Sequence, residues 1–383
     1  DLVCGAGTTV ADVLALALPA GWRTVGMSGS AFDTIGGALS SNTHGKDTWW
    51  AGNFAENVAG FRMLTATGEA LEVDRETRPE LFHAVTGGLG LLGVVVEVRL
   101  QLTPAPSAAI ERDDERCADL DGLVAAMRGL DPASRELCYA EIEQVAPGSS
   151  QGRAILHRGR FAPDTRAAEV AALPGALQRR DRILGLSESA FWGLARRGWT
   201  PTTFRLMGRL ARRAYLAGAV GRRVPFPTYW YPQLKTPGIS RLFLPGGALE
   251  LHAFAPWDRA ADAFRELLAV LDEAGRAPWL CVVRRHRRSP SPLTFAGDGL
   301  SMTSIVPCTG LSDVARTSLL ERFAAAVLRH EGRLYLTKSP WTGATTAARM
   351  YPGAAGVLAL KRELDPQGLL ASQASDRLFG TGR

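Results

Sequence analysis

The sequence is poor in cysteine. Its five, Cys4, Cys117, Cys138, Cys281 and Cys308, are odd in number, widely spaced and never in a Cys-x-x-Cys arrangement. That pattern excludes a disulfide framework and a structural zinc site, and the thiols read as small buried apolar groups. No metal site is expected. Also missing is any apolar run near the roughly 20 residues that cross a bilayer, and the run at residues 14–20 is short and lacks the flanks of a signal peptide. The chain therefore reads as cytoplasmic, without an integral span. It has no internal repeat and no low-complexity tail. A hydrophobic content of 46% against 21% charged residues describes a folded protein, and 383 residues suffice for two domains with separate cores. The net charge of +6 favours an anionic partner, though not a nucleic acid.

Small residues are plentiful. Residues 34–54 bring together Gly36, Gly37, Gly45 and Gly52 with hydroxyl and amide side chains, His44 and Lys46. Such a stretch lets backbone approach a large polar, flat molecule. Before it, residues 1–4 predict a strand, Thr8 or Thr9 a helix cap, and residues 10–18 a helix ended by Pro19 and Gly21. After it, residues 58–65 and 70–73 predict a hairpin through Gly68, Pro79 opens a short helix, and residues 94–102 a strand. Gly88, Gly90 and Gly93 precede that strand rather than follow one into a helix, which rules against a dinucleotide-binding βαβ unit.

Pro104 and Pro106 mark the expected boundary to a second domain. Beyond them, helices are predicted at residues 120–130, 165–173, 257–274 and 311–330. Strands are predicted at 137–144, 154–157, 248–255, 279–284, 300–306 and 333–338. Between Arg179 and Arg223 lie eleven arginines against Asp181 and Glu188. Arg205, Arg209, Arg212 and Arg213 fall at helical spacing, either as a docking surface for anionic lipid heads or as a solvated helix face.

The run Thr34-Ile-Gly-Gly-Ala-Leu, His44-Gly-Lys, Ala51-Gly-Asn-Phe, Leu64-Thr-Ala-x-Gly68-Glu, Glu80-Leu-Phe and Gly87-Gly-x-Gly90-x-x-Gly93 resembles the FAD-binding half of the vanillyl-alcohol-oxidase-type (PCMH-type) flavoproteins. Gly332-Arg-Leu-Tyr-Leu-Thr-Lys338, Met350-Tyr-Pro and the run from Lys361 through Asp365-Pro to Ser372 are similar to the decaprenylphosphoryl-β-D-ribose 2'-oxidase family, the flavoprotein subunit of an arabinan-precursor epimerase. The resemblance implies an α+β, two-domain FAD-linked oxidase fold. In it, a split FAD-binding domain (residues 1–105 and 333–383) holds an inserted substrate domain of antiparallel sheet plus helices (residues 106–332). It also implies a further FAD subdomain ahead of residue 1, so the chain is expected to be incomplete. The cofactor implied is FAD, contacted by Gly29, Ser30, Thr34, Gly36, Gly37, Ser40, Ser41, His44, Gly45, Gly90, Gly93 and Val95. The family's pair of glutamines falls on Glu250 and His252, its lysine on Arg284, its asparagine and cysteine on Ser301 and Thr303, and a further asparagine on Leu89.

Alcohol oxidation needs a proton acceptor and groups that orient the substrate. Lys338, His44, His252 and Glu250 are the candidate catalytic residues. Lys46, Tyr231, Glu250, His252, Arg284, Thr303, Tyr335 and Lys338 are the candidate substrate contacts. Lys338 is in strand phase with Leu334 and Leu336, which would desolvate its ammonium on an apolar face; a strand-end lysine reaching solvent is the alternative. Glu250 and His252, two apart on a strand, point the same way about 7 Å apart, into a site or onto the wet face of a sheet. The expected activity is FAD-dependent oxidation of a secondary hydroxyl of a sugar, plausibly phosphate- or polyprenyl-phosphate-linked. The keto product would pass to a separate reductase, and peripheral contact with an anionic membrane is open. An alditol or sugar-lactone oxidase, a tailoring oxidase of a secondary metabolite, and a non-catalytic remnant are the alternatives.

Overall fold

Short apolar-alternating runs closed by glycine turns give sixteen strands among the residues described by the computed structural model, namely 1–143, 152–198, 203 and 220–380. The first hundred or so residues supply β1 (Leu2–Gly5), β2 (Trp22–Arg23), β3 (Val58–Leu64), β4 (Ala70–Asp74), β5 (Val94–Leu100) and β6 (Thr103–Pro104). The middle supplies β7 (Ala109–Cys117), β8 (Leu137–Ile142), β9 (Ala154–Phe161), β10 (Arg182–Ile183), β11 (Leu186–Ser187) and β12 (Arg222–Pro225). The last part supplies β13 (Ala248–Pro256), β14 (Leu280–His286), β15 (Gly299–Pro307) and β16 (Arg333–Leu334).

Four strands form one sheet in the order β1-β5-β3-β4, and eight form a second in the order β12-β7-β9-β8-β14-β15-β13-β16. The described strand pairings are antiparallel throughout. The α+β expectation holds, and so does the hairpin at Gly68, whose φ of 86° an L side chain rarely adopts. The first helix, Val10–Ala17, starts at a capping box in which Thr9 and Asp12 satisfy each other's backbone N–H groups, and Gly21 follows in the left-handed region.

In the eight-stranded sheet the period of two sorts residues cleanly. Leu251, Ala253 and Ala255 of β13 and Leu300 and Met302 of β15 are buried. The helices Ala260–Glu273 and Asp313–Arg329 pack on this region, with Phe264, Leu267, Leu271 and Phe323 buried. Phe264, Leu267 and Leu271 recur every three or four residues, an amphipathic stripe that a sheet face can cover. The other face of the sheet is left for the site.

One predicted strand is shorter than expected. β16 ends at Leu334, and residues 336–338 form a single 3-10 turn closed by the Lys338 amide on the Tyr335 carbonyl. The Tyr335 hydroxyl donates to the Ser41 carbonyl at 2.9 Å, and the Tyr351 hydroxyl donates to the Leu334 carbonyl, so the chain turns off the sheet there. β16 thus extends the eight-stranded sheet beside β13, and Tyr335 makes the connection back to the glycine-rich stretch. The helix expected to carry Arg205, Arg209, Arg212 and Arg213 lies outside the described residues.

Candidate active site

Strand register builds the site row by row. Leu280, Ile305 and Glu250 stand opposite one another across β14, β15 and β13; then Val282, Thr303 and His252; then Arg284, Ser301 and Phe254. Directly opposed residues on antiparallel strands share a face. Glu250, His252, Thr303 and Arg284 therefore line one wall of a cavity of about 900 Å³. Ser28, Gly29, Ser30, Asp33, Thr34, Gly37, Ser41, Thr43 and His44 line it too, and Tyr335 and Lys338 add further polar groups. Ile239, Phe243, Leu244, Leu249, Trp279 and Ile305 add apolar lining, interrupted by the polar Gln233, Ser240, Arg241 and Thr337. The volume is near the top of the roughly 300–1,000 Å³ typical of ligand cavities.

His44 sits at the centre of an aromatic cluster. Its ring centroid is 4.9 Å from His252, 5.0 Å from His286, 5.1 Å from Phe295 and 5.4 Å from Tyr335. Burial, then the neighbouring His252, His286, Arg284 and Lys338, hold His44 well below the usual histidine range. His252 is likewise held down by burial and by Arg284, and His286 is lowered to about 3 by burial and Arg284. All three imidazoles are neutral at pH 7. Among the described residues no group of three or more His, Cys, Asp or Glu is arranged to hold a metal ion. The Nδ1 of His44 and the Oγ1 of Thr303 are buried with no partner.

Glu250 and Lys338 form an ion pair of 3.0 Å, with side chains 37% and 41% exposed. Lys338 reaches the cavity as expected, but from a turn and paired to Glu250, not desolvated on an apolar strand face. The wet-face alternative for Glu250 and His252 gives way to a shared cavity wall, since His252 is only 2% exposed.

Other expected contacts lie elsewhere. Lys46 is buried away from the cavity, donating to the Tyr229 carbonyl at 2.6 Å and the Trp230 carbonyl at 2.9 Å with its ammonium 4.3 Å from the Tyr139 ring centre. Tyr231 is buried with its hydroxyl on the Met27 sulfur at 3.3 Å. Of the expected cofactor contacts, Gly29, Ser30, Thr34, Gly37, Ser41 and His44 line the cavity, whereas Gly36, Ser40, Gly45, Gly90, Gly93 and Val95 do not. A side chain at Gly36 would strike Ala6, one at Gly45 the Met27 carbonyl and the Trp230 ring, and one at Gly93 Met63 and Leu64. These three glycines serve close packing. His286 was missed, although it follows Arg284 at the strand spacing of two that would have placed it on the same face.

The cradle fits an FAD. An ideal Cβ at Gly29 meets no atom within 4 Å, so the wall beside Ser28 and Ser30 is open to a bulky group, and His44 lines the same cavity. Ser28, Gly29, Ser30, Thr34, Gly37, Ser41 and His44 would hold the cofactor.

Comparison with known proteins agrees. The FAD binding domain family matches residues 1–74. The matched domain marks the chain as an FAD-binding oxidoreductase. Within that class the chain is 28% identical to decaprenylphosphoryl-beta-D-ribose oxidase of Mycolicibacterium smegmatis, over 97% of this chain and 79% of that one. It is 29% identical to an uncharacterized protein of Streptomyces coelicolor over 95% of this chain and 97% of that one. A shorter match, 36% identical over 27% of this chain and 21% of the other, is to cytokinin dehydrogenase 2 of Arabidopsis thaliana.

Proposed function

We propose that the protein oxidises a secondary hydroxyl of a sugar or sugar-like substrate to a ketone, with a phosphate- or polyprenyl-phosphate-linked pentose as the substrate class. The supporting observation is the ladder of Glu250, His252, Thr303 and Arg284, joined by Lys338, on one wall of a cavity that the Gly29–Ser30 cradle also lines. Similarity to an oxidase of a lipid-linked ribose over nearly the whole chain supports the same class.

Bound FAD supplies the hydride acceptor. The chain's own residues divide the remaining work. A sugar hydroxyl must lose its proton to a group that tolerates the change of charge. His44 and His252 are poor acceptors, because burial and Arg284 already disfavour their protonated forms. The Glu250 carboxylate, part-exposed and losing its charge rather than gaining one when it takes up a proton, is the better one. Lys338 and Arg284 donate hydrogen bonds to substrate oxygens and fit a phosphate or a polyol equally by charge. Tyr335, fixed by Ser41, packs against Phe295 at 4.6 Å and closes the floor. Ile239, Phe243, Leu244, Trp279 and Ile305 suit a hydrocarbon tail, with Arg241 among them available to an anionic group.

Peripheral membrane contact belongs to the same reading. Exposed Leu184 and Leu194, with Arg196 and Arg197 at the end of the helix Glu188–Arg197, support it, and Arg196 donates to the Leu244 carbonyl at the cavity. Among the described residues no helix is long and apolar enough to cross a membrane. The test is turnover of a panel of phosphopentoses, lipid-linked pentoses, alditols and sugar lactones, with an artificial electron acceptor and with oxygen. Turnover of alditols or lactones with oxygen, and none of the phosphorylated pentoses, would replace this reading by an alditol or lactone oxidase. A keto product would also require a separate reductase to complete an epimerisation.

A further inference from the structure

Ser301 lies at the middle of the ladder, fully buried, and touches two histidines at once. Its Oγ is 2.8 Å from the Nε2 of His286 and 3.3 Å from the Nε2 of His252. A hydroxyl has one hydrogen to donate. Both rings are neutral, so each carries a single N–H, and the three groups cannot choose their protons independently.

The other end of His286 decides the direction. Its Nδ1 is buried with no partner. Leaving a buried N–H unpaired is rarer in proteins than leaving an acceptor under-satisfied. His286 therefore keeps its lone pair on Nδ1 and its hydrogen on Nε2, where Ser301 Oγ accepts it. The Ser301 hydroxyl then donates to His252 Nε2, which leaves the single hydrogen of His252 on Nδ1. That atom has no hydrogen bond to a described residue and is not sealed off, since it is absent from the buried unpartnered atoms while His252 lines the cavity.

We infer that Ser301 and His286 are positioning residues that fix His252 as its Nδ1–H tautomer, so that His252 presents a hydrogen-bond donor to an oxygen of the molecule held in the cavity. This rests on the proposal that the cavity is the reaction chamber. Neither residue touches the cavity itself; they act through His252.

The test uses the full chain labelled with 15N-histidine, with long-range 1H–15N spectra reporting the tautomer of each ring and His252→Gln and His286→Gln identifying the signals. The expected result is Nδ1–H for His252 and Nε2–H for His286. Ser301→Ala should shift His252 towards Nε2–H, Ser301→Thr should restore Nδ1–H, and melting curves confirm that each variant is folded. Turnover on the substrate found in the panel should fall about tenfold in Ser301→Ala, the worth of one hydrogen bond in the transition state, through kcat with KM little changed. A parent protein with His252 as Nε2–H, or tautomers that ignore Ser301→Ala, would overturn the inference. If no carbohydrate is turned over, the proposed function fails while the tautomers still decide this point.

Discussion

Replacing Glu250 by Gln tests the proposed chemistry most directly, because it removes a proton acceptor while keeping shape. The ion pair to Lys338 is 3.0 Å long with both side chains more than a third exposed. Pairs of that kind contribute about 0.2–1 kcal/mol, and the Gln carbonyl can still accept from Lys338. For a chain of this size such a change moves the melting temperature by no more than about 2–4 °C. Removing a positioned general base, by contrast, costs about 10²–10⁴ in turnover. The assay is steady-state dye reduction with the substrate from the panel, alongside a thermal melt and the visible spectrum of the FAD-loaded protein. A small stability change, retained flavin bands and a fall in kcat of at least about a hundredfold is the expected set. Turnover within about threefold of the parent, with FAD bound, would refute Glu250 as the acceptor.

Gly29→Val should leave the melting curve measured without FAD unchanged, since a Cβ there meets nothing within 4 Å, yet weaken FAD binding about tenfold or more in a fluorescence titration. Gly45→Ala should destabilise by about 1–3 kcal/mol, because the methyl group would collide with the Met27 carbonyl and the Trp230 ring. Lys46→Met should cost about 1–3 kcal/mol in a denaturant melt by leaving the buried Tyr229 and Trp230 carbonyls unpaired, with KM unaltered because the side chain is off the cavity. His286 has a folded-state pKa lowered to about 3 from 6.5, so the unfolded chain binds more protons between those values and stability falls as the pH drops through that window. At pH 5 this one group should cost about 2 kcal/mol, and the stability of His286→Asn should depend on pH less steeply by that amount, as read from urea melts at pH 7 and pH 5.

The sequence alone determined the local order of this protein. The capping box at Thr9, the hairpin at Gly68, the amphipathic helices over residues 260–273 and 313–329 and the alternation that pairs Glu250 with His252 all follow from neighbours a few residues apart. The resemblance carried by the glycine-rich motifs gave the cofactor class in the same way. The tertiary structure decided which of those residues meet. His44 and Lys46 are two apart in one polar loop, yet one joins a histidine cluster on the cavity and the other is spent on two backbone carbonyls in the core. Lys338 reaches the site only because Tyr335 turns the chain off the sheet to bond Ser41, nearly three hundred residues away in sequence. His286 enters through the register of β14 against β15, which no local pattern specifies. Spacing along a strand or helix fixes which side chains share a face, whereas the face presented to a cavity is set by packing between segments far apart in the chain.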